Sequence, residues 1–234
     1  MNPSIQVFVF DAYGTLFDPH SIRTLAEALF PGHGAVLSQL WRAKQLEYSW
    51  LRTLMHRYED FWSVTRDALG FSCRSLQLPC TENQRDSLLD AYLRLETFPE
   101  VKASLERLAN RRLAILSNGS PNMLRAVVDS NGLSDTFECV LSVDTLKFYK
   151  PHPAVYQQAA DQLKVPKEAI GFVSSNFWDV AGAASFGFQT FWVNRAQVSA
   201  DELGITPTAT LETLTDLLPM GGYQGAPEDD TEHT

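Results

Sequence analysis

Short apolar runs alternate with helical patterns along most of the chain. Five runs rich in β-branched and aromatic residues predict strands at residues 5–10, 113–117, 138–142, 170–174 and 189–193. The first, second and fourth runs are almost continuously apolar, as expected of strands that are buried on both faces. Because helical segments separate the later runs, the pattern predicts an α/β fold with a Rossmann-like parallel sheet.

Residues typical of helix ends predict where three of the helices begin and stop. One is predicted to begin after Ser120, with Pro121 at its first position, and to stop at Asn131-Gly132. Another follows Pro151 and runs over residues 154–163, and a third spans about residues 179–186 before Gly187. Each of these helices lies between predicted strands, as the crossovers of a parallel sheet require.

A long helical region follows the first strand. Between about residues 19 and 96 no convincing strand occurs and apolar residues recur at helical spacing. We therefore predict a helical cap domain at residues 19–96, inserted into a core of residues 1–18 and 97–220 with hinges at Asp18-Pro19 and Phe98-Pro99. Residues 221–234 are rich in Gly, Pro, Asp and Glu and predict a disordered tail. The predicted apolar stripe of the cap contains Val36, Leu37, Leu40, Trp41, Trp50, Leu51, Leu54, Met55 and Tyr58.

Charge and composition exclude several classes of partner. The 234 residues carry a formal net charge of −9, which argues against a nucleic-acid partner and against an anionic membrane surface.

No apolar stretch of roughly 18 residues is present, so no transmembrane helix is expected. The N-terminal apolar run is too short for a signal peptide. Cys73, Cys80 and Cys139 lack metal-like spacing, which favours reduced thiols in a cytoplasmic protein.

Polar residues follow the predicted strands where reactive groups of parallel sheets usually lie. Asp11 follows the first strand, Ser117-Asn118 the second and residues 174–176 the fourth, while Lys150 precedes a helix. Helix caps would explain the Ser and Asn residues. They do not explain Asp11 directly after four apolar residues together with Lys150 and Asp179, although a turn-capping role for Asp11 remains the alternative.

These residues resemble the four motifs of the haloacid dehalogenase superfamily, in order and spacing, over about residues 5–215. The first motif is Asp11 to Leu16 (DAYGTL), the second Ser117-Asn118-Gly119, the third Lys150-Pro151 and the fourth Ser174 to Asp179 (SSNFWD). In the cap, residues 40–48 and 57–62 resemble those of the L-2-haloacid dehalogenases. The resemblance implies a Rossmann-like core with an inserted cap.

Two positions depart from the phosphatases of this superfamily. Tyr13 stands where they carry a second aspartate, and Ser175 stands where they carry a metal-binding aspartate. A Mg²⁺ site needs several hard oxygen ligands, so the sequence predicts no metal and no cofactor. Without a metal, a phosphoryl dianion would be repelled by Asp11 and Asp179, whereas a 2-haloacid carries one negative charge.

The resemblance implies hydrolytic dehalogenation of (S)-2-haloacids to (R)-2-hydroxy acids with inversion at C2. Asp11 is expected to attack C2, releasing halide and forming an aspartyl ester that water then hydrolyses. The resemblance assigns Arg42 to receive the halide, with Asn118, Phe61 and Trp178 assisting. On helical pattern alone, Arg42 would be a solvated arginine of the cap.

The remaining candidate residues each have a structural alternative. Ser117 and the backbone N–H groups of Ala12 and Tyr13 are expected to bind the substrate carboxylate, although Ser117 also suits a strand-to-helix turn. Thr15 would orient Asp11 or cap a helix.

The groups expected behind the nucleophile are also ambiguous. Lys150 would keep Asp11 ionised. Tyr156 matches a tyrosine that the family places beside this lysine, and by itself would suit the core. Asp179, with Ser174 and Asn176, would position and activate the hydrolytic water, although an acid at a helix N-terminus is its alternative.

Two other functions stay open on the sequence alone. The first is a Mg²⁺-dependent phosphatase or phosphonatase of the same fold that acts on a small phosphorylated metabolite. The second is a non-enzymatic, ligand-binding relative, against which the presence of Asp11, Lys150 and Asp179 argues. The resemblance also suggests that two copies pair as a homodimer.

Overall fold

A computed structural model describes residues 4–217, and the predicted tail at 221–234 lies outside the described residues. Within this range the strands form a single parallel sheet in the order β3-β2-β1-β4-β5-β6. The strands are β1 Val7–Phe10, β2 Arg112–Ser117, β3 Cys139–Ser142, β4 Ile170–Ser174, β5 Gln189–Val193 and β6 Ala209–Leu211. The α/β fold class predicted from the sequence is confirmed.

Helices cover both the region after β1 and the crossovers of the sheet. Before the chain returns to the sheet come α1 Arg23–Leu29, α2 Gly34–Leu54, α3 Phe61–Ser75 and α4 Glu82–Tyr92. Within the core lie α5 Val101–Arg107, α6 Pro121–Ser130, α7 Pro153–Leu163 and α8 Phe177–Phe186, with short 3₁₀ turns at Val143–Thr145, Lys167–Ala169 and Leu214–Leu217. No helix in residues 4–217 is long and apolar enough to cross a membrane.

Some predicted boundaries were wrong. The first and third strands begin at Val7 and Cys139, and α8 begins at Phe177, which places Asp179 in its first turn. The sequence also missed β6, which has three residues and only one buried side chain, Leu211. A strand this short carries no apolar alternation that would distinguish it from a loop.

The centre of the sheet positions the nucleophile candidate. Every residue of β1 is buried, and β1 lies between β2 and β4. Phe10 pairs with Val173, and the Asp11 N–H donates to the Val173 carbonyl at 2.9 Å. Asp11 therefore follows the central strand directly, at the carboxyl edge of the sheet where ligands bind in this class of fold.

The predicted stripe of the cap was wrong in its C-terminal half. Leu37 and Trp41 are buried, but Leu51, Leu54 and Met55 are 42%, 75% and 55% exposed, and Val36 is also exposed. In this half the buried face of α2 is polar, because it consists of Gln45 and Ser49. Hydrogen bonds within the cap satisfy both side chains, so burial there does not follow hydrophobicity.

The chain enters and leaves the helical region predicted to be a cap along two adjacent segments. The Asp18 N–H donates to the Glu96 carbonyl at 2.8 Å, and the Phe98 N–H donates to the Leu16 carbonyl at 3.1 Å. Phe17 and Thr97 form an antiparallel bridge between these bonds. Residues 16–18, which follow the nucleophile candidate, are thus bonded to residues 96–98.

Candidate active site

The two carboxylate oxygens of Asp11 have different surroundings. Oδ2 accepts hydrogen bonds from Asn176 Nδ2 at 2.8 Å and Thr15 Oγ1 at 2.9 Å, with Ser174 Oγ at 3.5 Å. Among the described residues Oδ1 accepts from Lys150 Nζ alone, at 3.1 Å. The oxygen Oδ2 is therefore held in place, and Oδ1 keeps a lone pair for chemistry.

Lys150 connects two buried carboxylates. Its ammonium is 3.1 Å from Asp11 Oδ1 and 2.8 Å from Asp179 Oδ2, and the lysine is 1% exposed. Burial alone would lower the pKa of Lys150, but the two carboxylates outweigh it and raise the pKa above its ordinary value. The lysine is therefore a permanent cation at this site.

Asp179 is fully buried, on the far side of Lys150 from Asp11. Tyr156 Oη donates to its Oδ1 at 2.8 Å, and Ser174 Oγ is 3.4 Å from its Oδ2. Burial raises the pKa of Asp179 to about 6, while Lys150 and Tyr156 oppose that rise. Asp179 is ionised at neutral pH and takes up a proton under mildly acidic conditions.

Thr15 is bonded to Asp11 and caps none of the described helices, since α1 begins at Arg23. Its hydroxyl donates to Asp11 Oδ2 and accepts from the Ser175 N–H at 2.9 Å. Gly14, with φ of +95°, makes the tight turn that carries Thr15 back toward Asp11. The loop after β1 is therefore bonded to the loop after β4.

Arg42 reaches from α2 to the loop that carries the nucleophile. Its Nη2 donates to the Tyr13 carbonyl at 2.9 Å, and its Nη1 donates to Gln45 Oε1 at 2.7 Å. Gln45 Oε1 also accepts from Tyr92 Oη at 2.8 Å, and Gln45 Nε2 donates to Thr65 Oγ1 at 2.7 Å. This network fixes the guanidinium, so Arg42 is not a freely solvated side chain.

The second strand supplies two polar groups. Asn118 Oδ1 accepts the Lys150 N–H at 2.9 Å, which leaves the amide Nδ2 of Asn118 as the donor available to a ligand. Ser117 Oγ accepts the Gly119 N–H at 3.1 Å, so Ser117 also forms the strand-to-helix turn. Both residues are buried.

A narrow cavity of about 10 Å³, room for roughly one water molecule, lies above Asp11. Ala12, Thr15, Lys150, Tyr156, Ser174 and Asp179 lie behind the cavity and not on its wall. The residues that line it are Asp11, Tyr13, Arg42, Leu46, Phe61, Ser117, Asn118, Asn176 and Trp178.

The residues around Asp11 do not fit a divalent cation. Asn176 Nδ2 donates to both Asp11 Oδ2 and, at 3.1 Å, the Tyr13 carbonyl, so a nitrogen donor occupies the space between two oxygens that a cation would bridge. Arg42 donates to the same carbonyl. Within residues 4–217, no group of three or more His, Cys, Asp or Glu side chains is suited to hold a metal.

Sequence reasoning missed several residues of the site. Gln45, Thr65 and Tyr92 hold Arg42, and Leu46 lines the cavity. Arg195 contacts the loops around Asp11. The first three lie on separate helices, and no local motif connects them. A polar residue on the buried face of α2, one turn after Trp41, was the available signal for Gln45.

Comparison with known proteins identifies the family. The model of the haloacid dehalogenase-like hydrolases matches residues 5–187. The chain is 51% identical over 205 residues to the (S)-2-haloacid dehalogenase of Pseudomonas sp. (strain YL), covering 87% of this chain and 88% of the relative. It is 46% identical over 212 residues to haloacetate dehalogenase H-2 of Moraxella sp. (strain B), covering 90% and 95%.

A solved structure agrees with these relatives. The L-2-haloacid dehalogenase of Xanthobacter autotrophicus with chloropropionic acid covalently bound superposes with a TM-score of 0.87 and 40% identity, covering 92% of this chain and 98% of that chain. The fold and the family match define a haloacid dehalogenase-like hydrolase, with Asp11, Lys150 and Asp179 clustered at the carboxyl edge of its sheet. The chain belongs to the L-2-haloacid dehalogenase family of the haloacid dehalogenase-like hydrolases.

Proposed function

We propose that this protein is an (S)-2-haloacid dehalogenase that converts short (S)-2-haloacids to (R)-2-hydroxy acids through an aspartyl ester on Asp11. One observation carries the proposal. Asp11 Oδ1 keeps a free lone pair beneath a small cavity whose wall includes the cation of Arg42 and the amide of Asn118. The relatives named above act on the same class of substrate.

The first step is a displacement at carbon. Asp11 Oδ1 bonds to C2 of the acid from the side opposite the halogen, and the carbon–halogen bond breaks as halide leaves with its electron pair. Carboxylate is a weak nucleophile toward carbon, so alignment and stabilisation of the departing anion are both required. Arg42 and Asn118 Nδ2 supply positive charge and an N–H donor, and Phe61 and Trp178 exclude water around the halide.

Recognition of the substrate carboxylate is assigned to Ser117 and to two backbone N–H groups. Ser117 lines the cavity, and the N–H groups of Ala12 and Tyr13 follow the nucleophile directly. Lys150 balances one of the two buried carboxylates. Together with Arg42 it offsets Asp11 and Asp179, so the substrate enters a site without net negative charge.

The second step is hydrolysis of the ester. Water attacks Cγ of Asp11, and the bond between Cγ and the oxygen now attached to C2 breaks. The hydroxy acid leaves with that oxygen and one proton, and the other proton is released. In the ester Oδ2 is the carbonyl oxygen, and Thr15 and Asn176 already donate to it, so they stabilise the negative charge that develops there. Asp179, with Ser174 and Tyr156, provides the anion that activates the water.

The decisive experiment follows oxygen during a single turnover. With enzyme in excess over (S)-2-chloropropionate in ¹⁸O-water, the label is expected in the Asp11 carboxylate, detected by mass spectrometry of the peptide. The hydroxy acid of that first turnover is expected to carry unlabelled oxygen. Label that appears directly in the product would mean that water attacks C2, and the ester mechanism would be wrong.

The phosphatase alternative gives opposite results. It predicts hydrolysis of aryl phosphates that EDTA abolishes, whereas the dehalogenase is expected to release chloride equally well with and without EDTA. The position of Asn176 between Asp11 and the Tyr13 carbonyl favours the dehalogenase.

We also propose that the protein is cytoplasmic, that its core is residues 1–18 and 97–220 with a cap at 19–96, and that it pairs as a homodimer. Three free thiols support the cytoplasmic location. Exposed apolar side chains at Leu51, Leu54 and Met55 support pairing. Light scattering after gel filtration tests the proposed homodimer, and a monomer at micromolar concentration would refute it.

A further inference from the structure

Arg195 lies just after β5, outside the cavity, and binds two loops that meet at the nucleophile. Its Nη2 donates to the Thr15 carbonyl at 2.9 Å, and its Nη1 donates to Ser175 Oγ at 2.8 Å. The Gly14 carbonyl is 3.5 Å from Nη1. One planar, permanently charged group thus bonds to the loop after β1 and the loop after β4 together.

The two residues that Arg195 holds are also bonded to each other. The Ser175 N–H donates to Thr15 Oγ1, and Thr15 Oγ1 donates to Asp11 Oδ2. A shift of either backbone segment would move the Thr15 hydroxyl and turn the carboxylate. Because Oδ1 and Oδ2 belong to one rigid group, that turn would also move Oδ1 away from the line of attack.

Further contacts fix Arg195 to the segment by which the chain leaves the cap. Glu100 Oε1 accepts from its Nε at 2.7 Å, and the guanidinium lies 4.0 Å from the centre of the Phe98 ring. Phe98 is itself bonded through its N–H to the Leu16 carbonyl. Arg195 therefore contacts both the nucleophile loop and the adjacent hinge segment.

We propose that Arg195 is a positioning residue, which sets the attack geometry of Asp11 by holding Thr15 and Ser175 in register. The inference rests on the proposed dehalogenase function for its kinetic consequences. Arg195 does not line the cavity, so it acts through Thr15 and not on the substrate. Loss of its bonds should slow chemistry more than it weakens substrate binding.

The kinetic test compares Arg195→Met with Arg195→Lys. A misplacement near 1 Å can cost about 100-fold in rate, so we expect Arg195→Met to lower kcat for chloride release by about 30- to 100-fold with KM changed by less than about threefold. Lysine retains the charge but cannot form the fork of bonds, so Arg195→Lys should recover only part of kcat. The matched control is Arg112→Met, which removes an Arg–Glu pair with Glu138 near the amino end of β2, away from the site.

A second measurement does not depend on turnover. Hydrogen–deuterium exchange of the peptide covering residues 11–18 should become faster in Arg195→Met and Arg195→Lys and stay unchanged in Arg112→Met. Unchanged exchange in both Arg195 variants would overturn the proposal, whatever the activity. If the unsubstituted enzyme releases halide and Arg195→Met matches its kcat, the proposal is also wrong. An inactive unsubstituted enzyme with faster exchange in the variants would contradict the dehalogenase function and leave the positioning role supported.

Discussion

The Lys150 ammonium lies 2.8 Å from Asp179, closer than the 3.1 Å that separates it from Asp11, the proposed nucleophile. One buried cation therefore serves two buried carboxylates. Such an arrangement is stable only while the cation is present, because an unpaired buried carboxylate carries a large desolvation cost. It also leaves Asp11 Oδ1 with Lys150 Nζ as its partner among the described residues, so a lone pair of this oxygen stays open toward the cavity.

Lys150→Met is expected to damage both activity and stability. Removal of one partner of a buried pair typically lowers the unfolding free energy by about 3 kcal/mol or more. Loss of the charge that balances two carboxylates should reduce kcat by about 100-fold or more. Halide release and urea unfolding measure the two effects. Lys147→Met is the control, since Lys147 is exposed and its contacts with Asp144 and the Tyr58 ring lie away from Asp11 and Asp179; equal losses in both variants would contradict the argument.

The pH dependence of turnover should follow Asp179. Its pKa is raised by burial to about 6, so the carboxylate is charged above that pH and takes a proton below it. Because the charged form is the one proposed to activate water, kcat is expected to fall at acidic pH, below about 6, since the ester removes the Asp11 charge that helps to raise the pKa of Asp179 in the free enzyme. The profile is measured as chloride release across the mildly acidic range. A kcat that stays constant across the whole acidic range below this pKa would exclude this role for Asp179.

Tyr156→Phe should move the acidic fall in kcat to higher pH. The Tyr156 hydroxyl donates to Asp179 Oδ1 at 2.8 Å and stabilises the charged carboxylate, so its removal raises the pKa of Asp179 further. Loss of a hydrogen bond to a charged group is worth about 1.5 kcal/mol, which corresponds to a shift of about one pH unit. Tyr58→Phe is the matched control, because Tyr58 donates to Asp144 away from the site. This variant should leave the pH at which kcat falls unchanged.

The sheet and its motifs were predictable because their signals are local. Strands buried on both faces read as apolar runs, and Asp11 directly after such a run marks the carboxyl edge of the sheet. The side chains that hold Arg42 in place were not predictable from the sequence. Gln45, Thr65 and Tyr92 come together only after three helices have packed. The same long-range packing reverses the hydrophobic pattern of α2, where Gln45 is buried and Leu54 is exposed.

Gln45→Glu should weaken the halide site without changing its shape. Gln45 Oε1 accepts from Arg42 Nη1 at 2.7 Å, and a carboxylate at the same position would neutralise the guanidinium charge. We expect kcat to fall by about tenfold and the inhibition constant for chloride to rise by a similar factor. Glu47→Gln lies on the same helix in a surface pair with Lys44 and should change neither quantity. An unaltered chloride inhibition constant in Gln45→Glu would remove the halide role from Arg42.

Asn176→Asp should create a cation site where none fits now. The amide nitrogen between Asp11 Oδ2 and the Tyr13 carbonyl would become an oxygen, so three oxygens would converge on one point. The variant is expected to lose dehalogenase activity and to gain a Mg²⁺-dependent rise in melting temperature. Asn118→Asp adds the same charge on the cavity wall without the Tyr13 carbonyl and should gain no such rise. If Mg²⁺ stabilises both variants equally, general charge repulsion and not a defined site would be responsible.

The length of the accepted acid should depend on Leu46. This residue lies on α2 and lines the narrow cavity above Asp11. One methylene in an apolar pocket is worth about 1–3 kcal/mol, so Leu46→Ala should raise kcat/KM for (S)-2-bromohexanoate relative to (S)-2-chloropropionate by at least about tenfold. Leu51→Ala is the control on the same helix, because Leu51 is exposed and does not reach the cavity. An unchanged ratio in Leu46→Ala would mean that another wall, formed by Phe61 or Trp178, sets the limit on chain length.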